Sequence, residues 1–374
     1  MNIPFNKPYL TGNETAYIEE AVRSGKISGD GIYTKKCHKY FEDRFGFKKC
    51  LLTTSCTDAL EMAAILIDIQ PGDEVIIPSY TFVSTANAFA LRGANIIFAD
   101  STGFNPNIDA EGIEKLITPK TKAIVPVHYA GIACDMNKIM ALAEKYNLFV
   151  VEDAAQAIDS YYYGKPLGSI GHLAAFSFHE TKNIISGEGG MLTVNDERFI
   201  KRSEIIREKG TNRSAFFRGE VNKYGWIDIG SSFLPSEIIS AFLYAQLEHL
   251  DEIQEKRKYL WQRYWDGLYE PLSKKGIAFP RFIEGSSNNA HMFYLVCQNL
   301  EQRTKLLDHL KSQGIWAVFH YLSLHKSEFY APKYRGEELK WSDHYSDCLV
   351  RLPLYFELTE KDQERIIREI LKVL

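Results

Sequence analysis

Leu148-Phe149-Val150-Val151-Glu152-Asp153-Ala154-Ala155-Gln156 reads as a buried strand ending on a carboxylate. Four apolar residues in succession suit a strand covered on both faces. Runs of the same kind lie on either side. Before it come Cys50-Leu51-Leu52-Thr53, Glu74-Val75-Ile76-Ile77, Asn95-Ile96-Ile97-Phe98-Ala99 and Ala123-Ile124-Val125-Pro126-Val127; after it come Ala174-Ala175-Phe176-Ser177 and Met191-Leu192-Thr193-Val194. Helical patterns fit between them. Thr57 to Ile67 puts Leu60, Ala63, Ala64 and Ile67 on one face, and Met136 to Tyr146 does so with Ile139, Met140 and Ala143. This alternation predicts an α/β fold with a mostly parallel seven-stranded sheet covered by helices. Ligands of such sheets bind beyond the carboxyl ends of the strands. Asp153 sits at one such end, and His128 at another.

The chain has 374 residues, enough for a large domain and a smaller one. From about Ser236 to Tyr269 the pattern turns long and helical. Candidate strands then occur at Met292–Val296 and Ala317–Phe319, and amphipathic helices at Arg303–Gln313 and Thr359–Val373. We therefore expect a large α/β domain over residues 1–240 and a linking helix with a small α+β domain over 241–374. The net charge of -4 argues against a general nucleic-acid surface. Six cysteines spread over the chain, with no C-x-x-C pair, read as reduced thiols. The stretch Met1 to Pro8 has no apolar signal-peptide core, and no run of 18 apolar residues offers a membrane span. A cytoplasmic protein is expected.

Ser177-Phe178-His179-Glu180-Thr181-Lys182-Asn183, whose Lys182 stands twenty-nine residues beyond Asp153, leads into Ser186-Gly187-Glu188-Gly189-Gly190. A loop lysine is ordinarily a solvated charge. Here it lies between a buried strand and a Gly-rich turn, five residues after a serine. A strand-terminal Asp followed by Ser-x-x-x-x-Lys is what an enzyme using pyridoxal 5′-phosphate (PLP) needs. Lys182 forms a Schiff base with the aldehyde and then serves as a base, Asp153 pairs with the ring nitrogen, and Ser177 helps hold the phosphate. Glu152 and Asp153 point to opposite faces if strand geometry persists, so only one faces a cofactor. Thr53-Thr54-Ser55-Cys56-Thr57-Asp58 joins a strand to a helix whose free N–H groups suit a phosphate, with hydroxyls from Ser55 and Thr57; plain N-capping is the simpler role for such residues. Phe82, after the next strand, is the candidate to stack on a flat ring. His179 is a candidate on the substrate side. There is no G-x-G-x-x-G, Walker A or H-E-x-x-H sequence, so dinucleotide, ATP and zinc chemistry lack their usual support.

The motifs Ser55–Leu60, Gly72–Val75, Pro78–Phe82, Val151–Gln156, Ser177–Asn183 and Gly187–Gly190 together resemble the DegT/DnrJ/EryC1/StrS sugar-nucleotide aminotransferases, a branch of the fold-type I PLP enzymes. The likeness covers essentially the whole chain. The segments Arg207–Ser214, Phe216–Gly219 and Asp228–Ser232 most resemble members that make dTDP-4-amino-4,6-dideoxygalactose for surface glycans. The resemblance implies a homodimer with shared active sites. It implies PLP held by Lys182, Asp153, Gln156, Phe82, Ser177, Cys56 and Thr57, with Ser232 where many relatives place a partner-subunit Asn on the phosphate. It puts His320 and Tyr321 on the sugar side. The implied reaction moves the amino group of L-glutamate to the 4-keto group of a dTDP-4-keto-6-deoxyhexose. The intact Lys182 favours transamination over sugar 3-dehydration, in which some relatives have His at that position. A gluco (viosamine) product, a 3-keto sugar substrate and a non-catalytic PLP- or sugar-binding regulator are the alternatives. Lys209, Arg213, Arg218 and Lys223, interleaved with Phe216, Phe217, Tyr224 and Trp226, form the candidate contact for the diphosphate or base, in one subunit or across the dimer.

Overall fold

In the computed structural model, which describes residues 2–374, the seven runs pair into one sheet. Met1, at the head of the N-terminal stretch and of the first expected domain, lies outside the described residues. The strands are β1 Cys50–Thr53, β2 Glu74–Pro78, β3 Asn95–Ala99, β4 Thr121–Ile124 and β5 Phe149–Asp153. A two-residue hairpin follows, β6 Tyr161–Tyr162 with β7 Lys165–Pro166. Then come β8 Leu173–Ser177 and β9 Gly190–Val194. The sheet order is β1-β9-β8-β5-β4-β2-β3. β3, β2, β4, β5 and β8 run parallel, while β9 is antiparallel to both β8 and β1.

The exception follows from connection length. Parallel neighbours need a crossover, here supplied by helices such as Val83–Ala90 and Met136–Tyr146. Between β8 and β9 there is only the loop 178–189, so the chain turns straight back. The carboxyl ends of β1, β2, β5 and β8 thus share one edge of the sheet with the start of β9. Successive residues alternate between two cores, as a sheet covered on both faces requires. Leu52, Ile76, Val150 and Phe176 enter one; Leu51, Val75, Val151 and Ala175 enter the other.

Some expectations shift. The strand predicted over 123–127 pairs only as far as Ile124, since Pro126 has no N–H to give a ladder. The chain rejoins β5 through the single bridge Val127–Asp153. The long helical stretch is two helices, Glu237–Leu247 and Leu250–Ser273, broken at His249. Ala317–Phe319 is not a strand; Val318 makes one isolated bridge to Arg351. The true partner of β10, Phe293–Val296, is β11, Leu349–Leu352. Sequence pattern missed β11 because Arg351 interrupts a run of only four residues.

A third core joins Leu268, Phe293, Leu295, Val350, Ile366 and Ile370. The helix Leu250–Ser273 serves two cores: Leu250 and Ile253 pack with the sheet, Leu260 and Tyr264 with the third core. Residue 240, the expected domain boundary, lies inside the helix Glu237–Leu247. We propose that the two domains meet between Ile253 and Leu260.

Candidate active site

The end of β5 separates two adjacent carboxylates by strand alternation. Glu152 points away from the sheet edge into a fully buried nest. It accepts from the N–H groups of Gly168 (2.8 Å), Ile170 (2.8 Å) and Gly171 (2.6 Å) and pairs with His128 Nε2 at 2.9 Å. Both residues are thereby spent on structure. Asp153 points the other way, into the cavity described below. Its Oδ2 accepts from Thr85 Oγ1 at 2.7 Å and its Oδ1 from Ala155 N at 3.1 Å. Thr85 is itself bonded to Thr81 Oγ1 at 2.9 Å. One bond per oxygen fixes the carboxylate plane. Burial raises the Asp153 pKa, against the bonds from Thr85 and Ala155 and the nearby Lys182 charge.

After β1 the helix Cys56–Leu66 begins. Ser55 caps it, accepting from Asp58 N at 3.1 Å, and Ala59 N reaches the Ser55 carbonyl at 3.2 Å. Of the four N–H groups a helix start leaves over, those of Cys56 and Thr57 remain to face an anion. Thr57 Oγ1 donates to Ser84 Oγ at 2.8 Å. Gly190 lets this turn sit close: a Cβ there would lie 2.2 Å from the Ser55 carbonyl carbon and 2.4 Å from Cys56 N.

Lys182 is carried by the loop between β8 and β9. Ser186 N donates to the Phe178 carbonyl at 2.7 Å, and Glu180 N to the Gly187 carbonyl at 2.9 Å. Gly187, at φ +79, makes the left-handed turn that closes the loop. Asn183 anchors the far side, donating to Gln254 Oε1 (2.7 Å) and the Asn289 carbonyl (2.9 Å) while its Oδ1 accepts from His291 Nδ1 (2.7 Å). Burial lowers the Lys182 pKa; Cys56 and Asp153 pull it up, and the Arg351 charge pushes it further down. The Cys56 thiol, raised by burial, stays neutral.

These parts open into one cavity of about 550 Å³, a size that holds a cofactor and part of a substrate. Ser55, Cys56, Thr57, Phe82, Asp153, Gln156, Ser177, His179, Lys182, His320 and Tyr321 all line it. Phe82 is 54% exposed, its ring 6.0 Å from that of Tyr321. Gln156 Nε2 donates to Tyr321 Oη at 3.0 Å, and its Oε1 accepts from Ala130 N at 2.6 Å. Tyr321 stacks on His320 at 3.5 Å, and His320 Nδ1 meets Tyr129 Oη at 2.6 Å. Burial keeps His320 neutral.

Four expected residues are not brought there: Ser232, Arg213, Arg218 and Lys223. Ser232 bridges Glu208. Arg213 lies 3.6 Å from Glu208 and over the Phe217 ring. Arg218 is held by Glu204 (2.9 Å) and Glu220 (2.7 Å), which raise its pKa, and Lys223 is exposed. Conversely, sequence reasoning missed Phe5, Asn6, His291 and Arg351, which line the cavity, and Thr85 beneath it. Only Thr85 carried a signal, lying three residues past Phe82.

The arrangement fits PLP by its own chemistry. A helix start with two N–H groups to give suits the phosphate, a buried carboxylate suits a ring nitrogen, and an amine with lowered pKa suits an aldehyde. The chain matches the DegT/DnrJ/EryC1/StrS aminotransferase family over residues 8–371. The spore coat polysaccharide biosynthesis protein SpsC of Bacillus subtilis is 32% identical over 378 residues, covering 98% of this chain and 96% of that protein. Spr1654 of Streptococcus pneumoniae, solved in PLP and PMP forms, superposes with a TM-score of 0.91 at 26% identity, over 100% of this chain and 98% of that one. PseC of Helicobacter pylori, an aminotransferase involved in the biosynthesis of pseudoaminic acid, gives 0.90 at 25% identity over 100% and 99%. With a match spanning residues 8–371, the chain belongs to the DegT/DnrJ/EryC1/StrS aminotransferase family of PLP-dependent sugar aminotransferases.

Proposed function

We propose that the chain transfers the amino group of L-glutamate to C4 of a dTDP-4-keto-6-deoxyhexose, giving dTDP-4-amino-4,6-dideoxygalactose for surface-glycan synthesis. The observation that carries the reading is an intact Lys182 sharing one cavity with Asp153 and the start of the helix Cys56–Leu66. The segments Arg207–Ser214, Phe216–Gly219 and Asp228–Ser232 support the galactose-type product.

Bound PLP supplies an electron-withdrawing ring and a carbon that trades amines between donor and acceptor. Asp153 would hold the proton on the ring nitrogen, its carboxylate plane set by Thr85 and Ala155. The N–H groups of Cys56 and Thr57, with the Ser177 hydroxyl, would hold the phosphate. Phe82 would cover one ring face, and Gln156 would lie near the ring hydroxyl. Lys182 moves the proton at the reacting carbon, a task for the neutral amine that its burial favours. His320 and Tyr321, locked by Tyr129 and Gln156, would face the sugar.

The proposed assembly is a homodimer with shared active sites. Tyr224, Trp226, Ile227 and Ile229 expose a run of large apolar side chains, Trp226 at 84%, and such a run suits burial against a second copy. Ser232 and the segment with Arg213, Arg218 and Lys223 would then serve the partner's cavity; replacing Arg213 and Arg218 together should raise the sugar-nucleotide KM with little change in the glutamate half-reaction. The proposed compartment is the cytoplasm, which suits six free thiols. Among the described residues no helix is long and apolar enough to cross a membrane.

The test is a spectrum and a product. Purified protein with PLP should show a visible band that glutamate bleaches, and Lys182→Ala should lose band and activity. NMR of the product from dTDP-4-keto-6-deoxyglucose should show an axial C4 amine. An equatorial amine would establish the viosamine product instead, amination only of the isomeric 3-keto sugar would establish a 3-amino product, and a colourless wild-type protein would remove the cofactor from the account.

A further inference from the structure

Arg351 is a cation at the edge of the cavity. It stands in the middle of β11, between the buried residues Val350 and Leu352, and its side chain reaches the cavity that holds Lys182. Among the described residues no carboxylate pairs with it, and its Nε is buried without a hydrogen-bond partner. The ring of Phe5 lies 4.7 Å from its charge. An aromatic face shields a cation from water and supports it, but it satisfies none of its N–H donors. The neighbours make matters worse. Lys182 is a second cation in the same cavity, and His291 and His320 are held neutral partly by the Arg351 charge. The half-buried guanidinium has one N–H, at Nε, taken out of water with no partner, and an anion arriving in the cavity would supply what the chain does not.

Two anions visit this cavity in the proposed reaction, an amino-acid carboxylate and a nucleotide diphosphate. Covalent geometry separates them. In an α-amino acid the carboxylate carbon lies ~2.5 Å from the nitrogen, and that nitrogen must reach the carbon that Lys182 serves. In the sugar nucleotide the diphosphate is attached at C1, across the sugar ring from C4. An arginine that lines the same cavity as Lys182 is therefore placed for the near anion. Guanidinium also matches a carboxylate with two parallel N–H donors.

We infer that Arg351 is the anchor of the amino-donor subsite, its guanidinium taking the α-carboxylate of an α-amino acid whose nitrogen is presented at the position of Lys182 Nζ. The inference rests on the amino-transfer reading above and deepens it. Phe5, from the N-terminal segment, is a positioning residue: it covers the guanidinium and leaves its N–H edge to the cavity.

The experiment uses the PLP-loaded enzyme and its Arg351→Gln and Arg351→Lys variants, with thermal unfolding to confirm that each folds. Saturation of the visible-band change gives an apparent Kd for L-glutamate and for L-isoglutamine, which lacks only the α-carboxylate. Titration calorimetry gives the Kd of dTDP. Losing one charge-assisted bidentate contact should weaken glutamate by ~10–100-fold in Arg351→Gln, and by less in Arg351→Lys, which keeps the charge. Isoglutamine should be weak with the wild type and no weaker with Arg351→Gln, because the variant and the amide remove the same contact. The dTDP affinity should be unchanged. Equal loss for glutamate and isoglutamine, or loss of dTDP affinity instead, would overturn the assignment. If another α-amino acid bleaches the wild-type band and glutamate does not, the glutamate reading fails alone, and the same comparison run with that amino acid and its α-amide decides the role of Arg351.

Discussion

Gly190→Ala adds a single methyl group at the point where the sheet meets the proposed phosphate site. The new Cβ would stand 2.2 Å from the Ser55 carbonyl carbon and 2.4 Å from Cys56 N. Carbon atoms pack at about 3.5–4.0 Å, so the turn or the strand must retreat by more than ~1 Å. The strand resists, because Gly190 is paired with Thr53 on one side and Ser177 on the other. The turn must then give, and both crowded atoms are backbone. Overpacking of this kind costs ~1–3 kcal/mol of stability. The functional loss should be larger. A shift of ~1 Å takes the N–H groups of Cys56 and Thr57 out of the 2.7–3.2 Å range of a good hydrogen bond. Each charge-assisted bond lost is worth about 1.5–3 kcal/mol, so PLP affinity should fall by at least ~10-fold. Titration of PLP into the apoenzyme, followed by the visible band, measures the affinity, and thermal unfolding measures the strain. A lower Tm with unchanged PLP affinity would refute the assignment of these two N–H groups to the phosphate. An unchanged Tm would refute the packing argument itself.

Other perturbations separate residues that look alike in sequence. Glu152→Gln should destabilise the protein by about 2–4 kcal/mol in denaturant unfolding, since an amide cannot accept all four bonds that the buried carboxylate takes. Asp153→Asn, one residue on, should leave stability nearly intact and remove most of kcat; matching effects at the two positions would contradict the division of roles. Thr85→Val keeps the shape but deletes the 2.7 Å bond to Asp153, and kcat should drop by ~10-fold with the glutamate KM little changed. For pH, burial holds the Lys182 pKa below its ordinary 10.5, and only the neutral amine captures an aldehyde. The rate of PLP uptake by the apoenzyme should therefore rise with pH to a midpoint below 10.5. Between the folded and unfolded pKa values the unfolded chain binds the extra proton, so Lys182 makes the apoprotein more stable as pH rises through that window. A midpoint at or above that of an ordinary lysine would count against the burial.

How much of this was legible in the sequence depended on where each residue's chemistry is decided. Asp153, Ser177 and Lys182 were readable because local pattern settles their place: a buried run ends, the chain must turn, and strand ends of a parallel sheet share one edge. The same logic found Ser55–Thr57 and Phe82. The antiparallel β9 follows from a loop too short for a crossover, and that loop is what brings Lys182 back over the ends of β5 and β8. Arg351 obeys no such rule. It sits within a four-residue strand whose partner, β10, lies more than fifty residues away in sequence, and its charge broke the apolar pattern that would have revealed the strand. Phe5 and His291 enter the cavity only because the third core, which binds Ile3 and Met292 as well as β11, packs against the sheet edge. The basic segment with Arg213 and Arg218 lies away from its own subunit's cavity for the opposite reason. Composition showed its cations, whereas Glu204, Glu208 and Glu220, which take them up, become neighbours only in three dimensions. Local periodicity therefore finds the half of the site that the sheet carries, where the cofactor would sit. The half that faces the substrates is assembled by long-range packing, and its most telling residue is Arg351, whose charge no carboxylate among the described residues pairs.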